Sequence, residues 1–136
     1  MGLSKIYLDA CIVIYFVEKH PDFAVKIEAL INKLGGNDML CYSPLTRLEC
    51  LVKPLRTNDK VLKGHFESFF EAQEMLEITA DVFDEAAQLR ADFNALKTPD
   101  AIHLATALHY QCDEFWTNDN RLDSVARSMV KNVLIP

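Results

Sequence analysis

"KIYLDACIVIYFV", residues 5–17, is apolar almost throughout, and a single carboxylate, Asp9, interrupts it. "KIYLD" reads as a short buried strand, 5–9. The residues after it read as a helix over 11–17, because Ile12, Tyr15, Phe16 and Lys19 recur at helical spacing. An ionised carboxylate held away from water without a partner costs several kcal/mol even after the protein relaxes. Lys5 is the only basic residue near Asp9 along the chain, so something else must compensate it.

Working outward, strands and helices alternate. Asp22 is placed to cap a helix over 22–34, which Gly35 and Gly36 end. "MLCYS", 39–43, reads as a second strand. Pro44 then opens a helix that carries Glu49 about one turn along. "NDKVLKGHFESFFEAQ" is an amphipathic helix and "MLEIT" a third strand. Thr79 or Asp81 starts a helix running to about Asn94. In "TPDAIHLATALHY" Thr98 is the expected N-cap and Pro99 the first helical residue. "EFWT" is a fourth strand, "NDNRLDSVARSM" a short helix and "NVLI" a last strand. This order predicts one α/β domain over residues 1–136 with a mainly parallel sheet of four to five strands. Sites in such sheets form beyond the carboxyl ends of the strands.

Composition narrows the function. Half of the 136 residues are hydrophobic and a quarter charged, which fits a globular protein and argues against disorder. The apolar run after Asp9 is too short to span a bilayer, and Glu18 and Lys19 end it. No basic segment leads into a long apolar stretch with a cleavage site. "MGLSKI" has Ile6 where a myristoylation signal needs Ser or Thr. The expected location is the cytoplasm. Net charge is −6 and uneven: residues 1–68 hold nine basic and eight acidic side chains, residues 69–136 five and twelve. That balance argues against a non-specific nucleic-acid coat, while leaving room for an enzyme whose cations offset its acids. Cys11, Cys41, Cys50 and Cys112 form no C-x-x-C pair and read as small buried residues with free thiols. His103 and His109, six apart, point to different faces of one helix, and His20 and His65 lie in separate segments.

The acids fall at strand ends. Asp9 closes the first strand and Asp119 follows the fourth. Glu49 lies in the helix after the second strand, and Asp100 opens the helix before the fourth. Each has an ordinary explanation singly: Asp100 as a dipole partner, Asp119 as a cap or turn residue, Glu49 as a partner of Lys53 four residues on. Together they would repel one another at one sheet edge unless a cation joined them. An all-oxygen site suits a hard metal, Mg²⁺ or Mn²⁺, and such ions support in-line displacement at phosphorus.

"YLDACIVIY", "SPLTRLECLVKPLR", "LKTPDAIHLATAL" and "FWTNDNRL" resemble, in order and spacing, the PIN-domain ribonucleases, particularly VapC-type toxins of toxin–antitoxin pairs. The resemblance covers nearly the whole chain, and "TPDAIHLATAL" is its most specific piece. It implies a PIN-like three-layer α/β/α fold and a Mg²⁺- or Mn²⁺-dependent endoribonuclease, usually dimeric and held inactive by a cognate antitoxin. The family's four acids fall on Asp9, Glu49, Asp100 and Asp119, as metal ligands and catalytic residues. One departure stands out. After the first Asp these proteins usually carry a small hydroxyl or amide residue, whereas this chain has Ala10 and Cys11. Thr117 and Asn118 are candidates to support the carboxylates instead. Asp123 reads as a fifth, water-mediated ligand or as a solvated helix residue.

For RNA phosphates the available cations are Arg47, Lys53, Arg56, Lys60, Lys63 and Lys97, each of which also reads as part of a solvated face. Trp116, Phe66, Phe69 and Phe70 could stack bases, but their spacing favours the core. Rival readings fit less well. A haloacid-dehalogenase-like enzyme wants an acid where Cys11 stands, and a response-regulator receiver wants paired acids near its start. A catalytically silent PIN domain that binds RNA or protein is the non-enzymatic alternative, and the presence of all four acids counts against it.

Overall fold

In the computed structural model, which describes residues 4–126 and 129–132, strand β1, Lys5–Leu8, runs through the middle of a five-stranded sheet. Around it lie β2, Met39–Tyr42, β3, Glu74–Met75, β4, Glu114–Thr117, and β5, Val130–Asn132, in the order β3-β2-β1-β4-β5. Every pairing is parallel, with Tyr7 level with Cys41 on one side and Phe115 on the other. Parallel strands need long crossovers, and helices supply them. They are α1, Ala10–Val17; α2, Ala24–Asn32; α3, Pro44–Arg56; α4, Lys60–Glu71; α5, Ala80–Asp92; and α6, Thr98–His109.

Alternation along β1 shows why the fold has three layers. Ile6 and Leu8 point into one core with Ile12, Val13, Ile27, Phe66 and Phe70 from α1, α2 and α4. Tyr7, between them, points into the other with Val82, Leu104, Ala105 and Phe115, beneath α5 and α6. A strand buried on both faces reads as a continuous apolar run, which is why residues 6–8 show no two-residue alternation. Ala101, Ala105 and Ala107 of α6 have no exposed surface, so the small side chains bring that helix close to the sheet. Trp116, Phe66 and Phe70 are core residues at 1% exposure or less and present no face to a base. None of the described helices is long and apolar enough to cross a membrane.

Several element boundaries differ from expectation for local reasons. Asp22 does not cap α2: Phe23 precedes the helix with no side-chain cap, and the Asp22 N–H donates to His20 Nδ1 at 3.1 Å. Thr98 is inside α6 and Lys97 is its N-cap, because the Thr98 hydroxyl is engaged from α5 by Arg90 Nη1 at 2.9 Å. Strand β3 is two exposed residues, since the chain leaves the sheet after Leu76 to let Thr79 cap α5. After β4 the chain makes a 3₁₀ turn, Asn120–Ser124, in place of a longer helix. β5 then begins at Val130, two residues before the expected start; residues 133–135 of that expected strand lie outside the described residues.

Because α6 sits so close to the sheet, added bulk there has nowhere to go. Ala105→Leu should destabilise the protein by about 1–3 kcal/mol, the usual cost of overpacking, with the slope of a urea unfolding curve unchanged.

Candidate active site

The sheet order reverses at β1, whose neighbours β2 and β4 diverge beyond its end, and Asp9 stands at that point. Asp9 is tied to β4 twice. Its N–H donates to the Trp116 carbonyl at 3.0 Å, and the Thr117 hydroxyl donates to its Oδ2 at 2.8 Å. Its Oδ1 accepts from the Ala10 N–H at 2.8 Å, which makes Asp9 the N-cap of α1. The same Thr117 oxygen accepts the Asp119 N–H at 3.1 Å, so one hydroxyl links the segments that carry two acids.

Glu49 arrives from α3. Ser43 and Thr46 form a reciprocal capping box at the start of that helix, with Pro44 in its first turn. Glu49 does not pair with Lys53, whose ammonium lies 2.7 Å from Glu18. Its Oε1 is instead 2.5 Å from His103 Nε2, and His103 Nε2 is 3.9 Å from Asp9 Oδ1. Ligand atoms of Asp9, Glu49 and His103 all lie within 4.8 Å of one another.

His103 stands in no histidine pair at metal-ligand spacing, so pair spacing gives no sign of its role. The available signal was Asp100-x-x-His103, two residues three apart on one helix face. His103 is 1% exposed and held on both sides, since its Nδ1 lies 2.6 Å from the Tyr7 hydroxyl. A carboxylate only accepts, so His103 donates its Nε2–H to Glu49, and in the Nε2–H tautomer Nδ1 accepts from Tyr7. Burial pushes the Tyr7 phenol well above its ordinary pKa, which keeps it a donor. Ser43 Oγ at 2.8 Å and Thr46 Oγ1 at 3.3 Å complete the surroundings of the Tyr7 oxygen. His103 thus aims Glu49.

Asp100, in the first turn of α6, has its carboxyl pushed up by burial and then by the charges of Asp9 and Asp119. The helix N-terminus favours its charge, but burial and the two like charges outweigh that. Asp119 is shifted the other way, held low mainly by hydrogen bonds from the Arg121 guanidinium. Lys97 adds to that lowering, so it lies within electrostatic reach of the site. Leu96, Asp100, Arg121, Leu122 and Val125 line part of a cavity of about 440 Å³ beside these groups.

The remaining expected residues are spread more widely. Asn118 does not bond a site carboxylate; it accepts from the Cys11 thiol at 3.3 Å and donates to the Tyr15 hydroxyl at 2.9 Å. Cys11 takes a polar role of its own as that donor, and burial, helped by Asp9, pushes its thiol up to about 12. Arg47 pairs with Glu67 at 3.3 Å. Arg56 is exposed near the far end of α3, about 10 Å along the helix from Glu49. Asp123 sits in the 3₁₀ turn.

The donor set suits a hard divalent cation: carboxylate oxygens gather here with no thiolate facing them, and Asp100 feels uncompensated negative charge. Three outcomes follow. Tyr7→Phe, which strips His103 Nδ1 and Ser43 of a partner, should cost about 1–3 kcal/mol in a denaturant titration. Nitrogen NMR should find His103 as the Nε2–H tautomer. Asp100→Asn should raise the melting temperature of metal-free protein at neutral pH. The raised native pKa means that Asp100 supports the fold at low pH and loses that contribution as pH rises through the native value, so the gain should fade on acidification.

Comparison with known proteins agrees with this geometry. The model of the PIN domain family matches residues 6–128. No curated protein matches the chain by sequence. Among solved structures, VapBC-1 from nontypeable Haemophilus influenzae superposes with a TM-score of 0.80 at 16% identity, covering 96% of this chain and 99% of that one. VapBC2 from Rickettsia felis, bound to a DNA fragment from its promoter, gives 0.78 at 16% identity over 94% and 98%. Mycobacterium tuberculosis VapC20, described as a toxin that cleaves the sarcin–ricin loop, gives 0.75 at 11% identity over 89% and 95%. With nearly the whole chain matched by the family model and the acids at the sheet's switch point, this chain belongs to the PIN domain family.

Proposed function

We propose that this PIN domain is a divalent-metal-dependent endoribonuclease, the toxin of a VapBC-type pair. The observation that carries the reading is the meeting of Asp9 and Glu49 at the switch point, with His103 aiming one and Thr117 the other. Asp9, Glu49, Asp100 and Asp119 would hold Mg²⁺ or Mn²⁺. The ion would polarise a phosphate oxygen and lower the pKa of a water at the scissile bond.

The chain's own residues supply orientation and charge. His103 fixes the rotamer of Glu49 through Tyr7, and Thr117 fixes that of Asp9, so two carboxylates are in place before a ligand arrives. Lys97, which acts electrostatically on the site, would hold a flanking RNA phosphate, and Arg56, exposed near the far end of α3, would meet only a more distant one. Arg47 and Lys53 would join them only by leaving Glu67 and Glu18, and exposed ion pairs of that kind are weak enough to exchange. Toxin structures among the matches include complexes with antitoxins, which supports a cognate antitoxin as partner, and the proposal extends to a homodimer acting in the cytoplasm.

Purified protein should cut single-stranded or looped RNA with Mg²⁺ or Mn²⁺ and not with EDTA. Asp9→Asn should lower the rate by at least about 100-fold, the upper end of what loss of a supporting residue costs, with circular dichroism unchanged. Mn²⁺ at about 100 times its dissociation constant should add about 2.7 kcal/mol of stability over the EDTA form, visible as a higher melting temperature. Cleavage by Asp9→Asn at the wild-type rate would remove the site assignment.

A further inference from the structure

Both oxygens of the Asp119 carboxylate are engaged by one residue. Its Oδ1 accepts from the Arg121 main-chain N–H and from Nε, both at 2.9 Å, and its Oδ2 accepts from Nη2 at 2.6 Å and lies 3.2 Å from Nε. A carboxylate has about four lone-pair positions, and a single arginine brings three N–H groups to them, with the Nε hydrogen shared between the two oxygens. The two partners differ in exposure, with the Asp119 side chain 20% exposed and that of Arg121 71%. The carboxylate therefore faces the site, while its partner sits at the rim and lines the cavity that also borders Asp100.

A divalent cation at Asp119 and a guanidinium on the same oxygens compete for the same lone pairs and repel each other. Arg121 can withdraw by side-chain rotation alone, because its backbone N–H keeps the turn capped. Resting on the metal-dependent ribonuclease reading above, we propose that Arg121 is a displaceable guard of Asp119, which yields that carboxylate to the metal and then pairs with an RNA phosphate. The planar fork that fits the Asp119 carboxylate fits a phosphate equally well, whereas a lysine would act only as a point charge. Bound metal and bound RNA would then favour the same position of Arg121.

A purely structural Arg121, fastening the turn, makes the opposite prediction, since losing it would let Asp119 wander and weaken metal binding. Mn²⁺ affinity measured by electron paramagnetic resonance without RNA, on wild type, Arg121→Ala and Arg121→Lys, separates the two. Arg121→Ala should bind Mn²⁺ about two- to fivefold more tightly, as expected for removal of an exposed competing pair. At saturating Mn²⁺ its KM for RNA should rise severalfold with a smaller change in kcat, and Arg121→Lys should fall between. Unchanged or weaker Mn²⁺ binding by Arg121→Ala, or an unchanged KM, overturns the guard. Wild-type protein that binds no Mn²⁺ defeats the metal reading itself, a different result from Mn²⁺ binding that ignores Arg121. Both variants alter an exposed side chain, and circular dichroism checks that each is folded.

Discussion

Like charges at the end of a parallel sheet are the constraint on which this structure turns. Asp9, Asp100 and Asp119 raise one another's energy, and the surrounding groups reduce that cost in different ways. Asp9 is stabilised by the Thr117 hydroxyl and the first amide of α1, and Asp119 by a bidentate arginine. Glu49 receives a hydrogen bond from a buried imidazole. Asp100 has the weakest compensation, which is why its carboxyl is pushed upward while that of Asp119 is pushed down. A cation placed among them would relieve the strain that the protein groups leave.

The site is supported by both cores. Tyr7 belongs to the layer under α5 and α6, whereas Leu8, next along β1, belongs to the layer under α1 to α4. Asp9 comes immediately after, where the strand stops and alternation would return it to the Tyr7 side. Hence Tyr7, His103 and Asp9 share one side of the sheet, and Glu49 reaches them from the start of α3, whose cap residues Ser43 and Thr46 also touch Tyr7. A single buried phenol therefore joins the helix that carries Glu49 to the helix that carries Asp100.

How far the sequence led depended on the kind of signal each feature carries. Layer order was readable because strands and helices alternate with short caps between them, and Ser43, Pro44 and Thr79 act at helix starts much as their chemistry suggests. Thr98 does not cap α6 because its hydroxyl accepts from Arg90 of α5, and Asp22 does not cap α2 because that helix starts after Phe23, one residue further on. Reading Glu49 with Lys53 failed similarly, for helical spacing says which residues could meet and says nothing of Glu18 or His103. His103 and Arg121 were overlooked for a different reason. Their roles arise from contacts with acids, His103 with one 54 positions away, and only the fold reveals that separation as a hydrogen bond.

The pairing of β1 with β4 has a further consequence, one of timing. Asp9 and its hydroxyl partner Thr117 stand 108 positions apart. Contacts so distant in sequence form late and slowly, after loop closure has been overcome. A growing chain holds Asp9 without the strand that orients it until Thr117 has been made, and no fragment shorter than residues 9–117 contains both partners. The setting of Asp9 is therefore completed only once β4 has been made and has paired with β1.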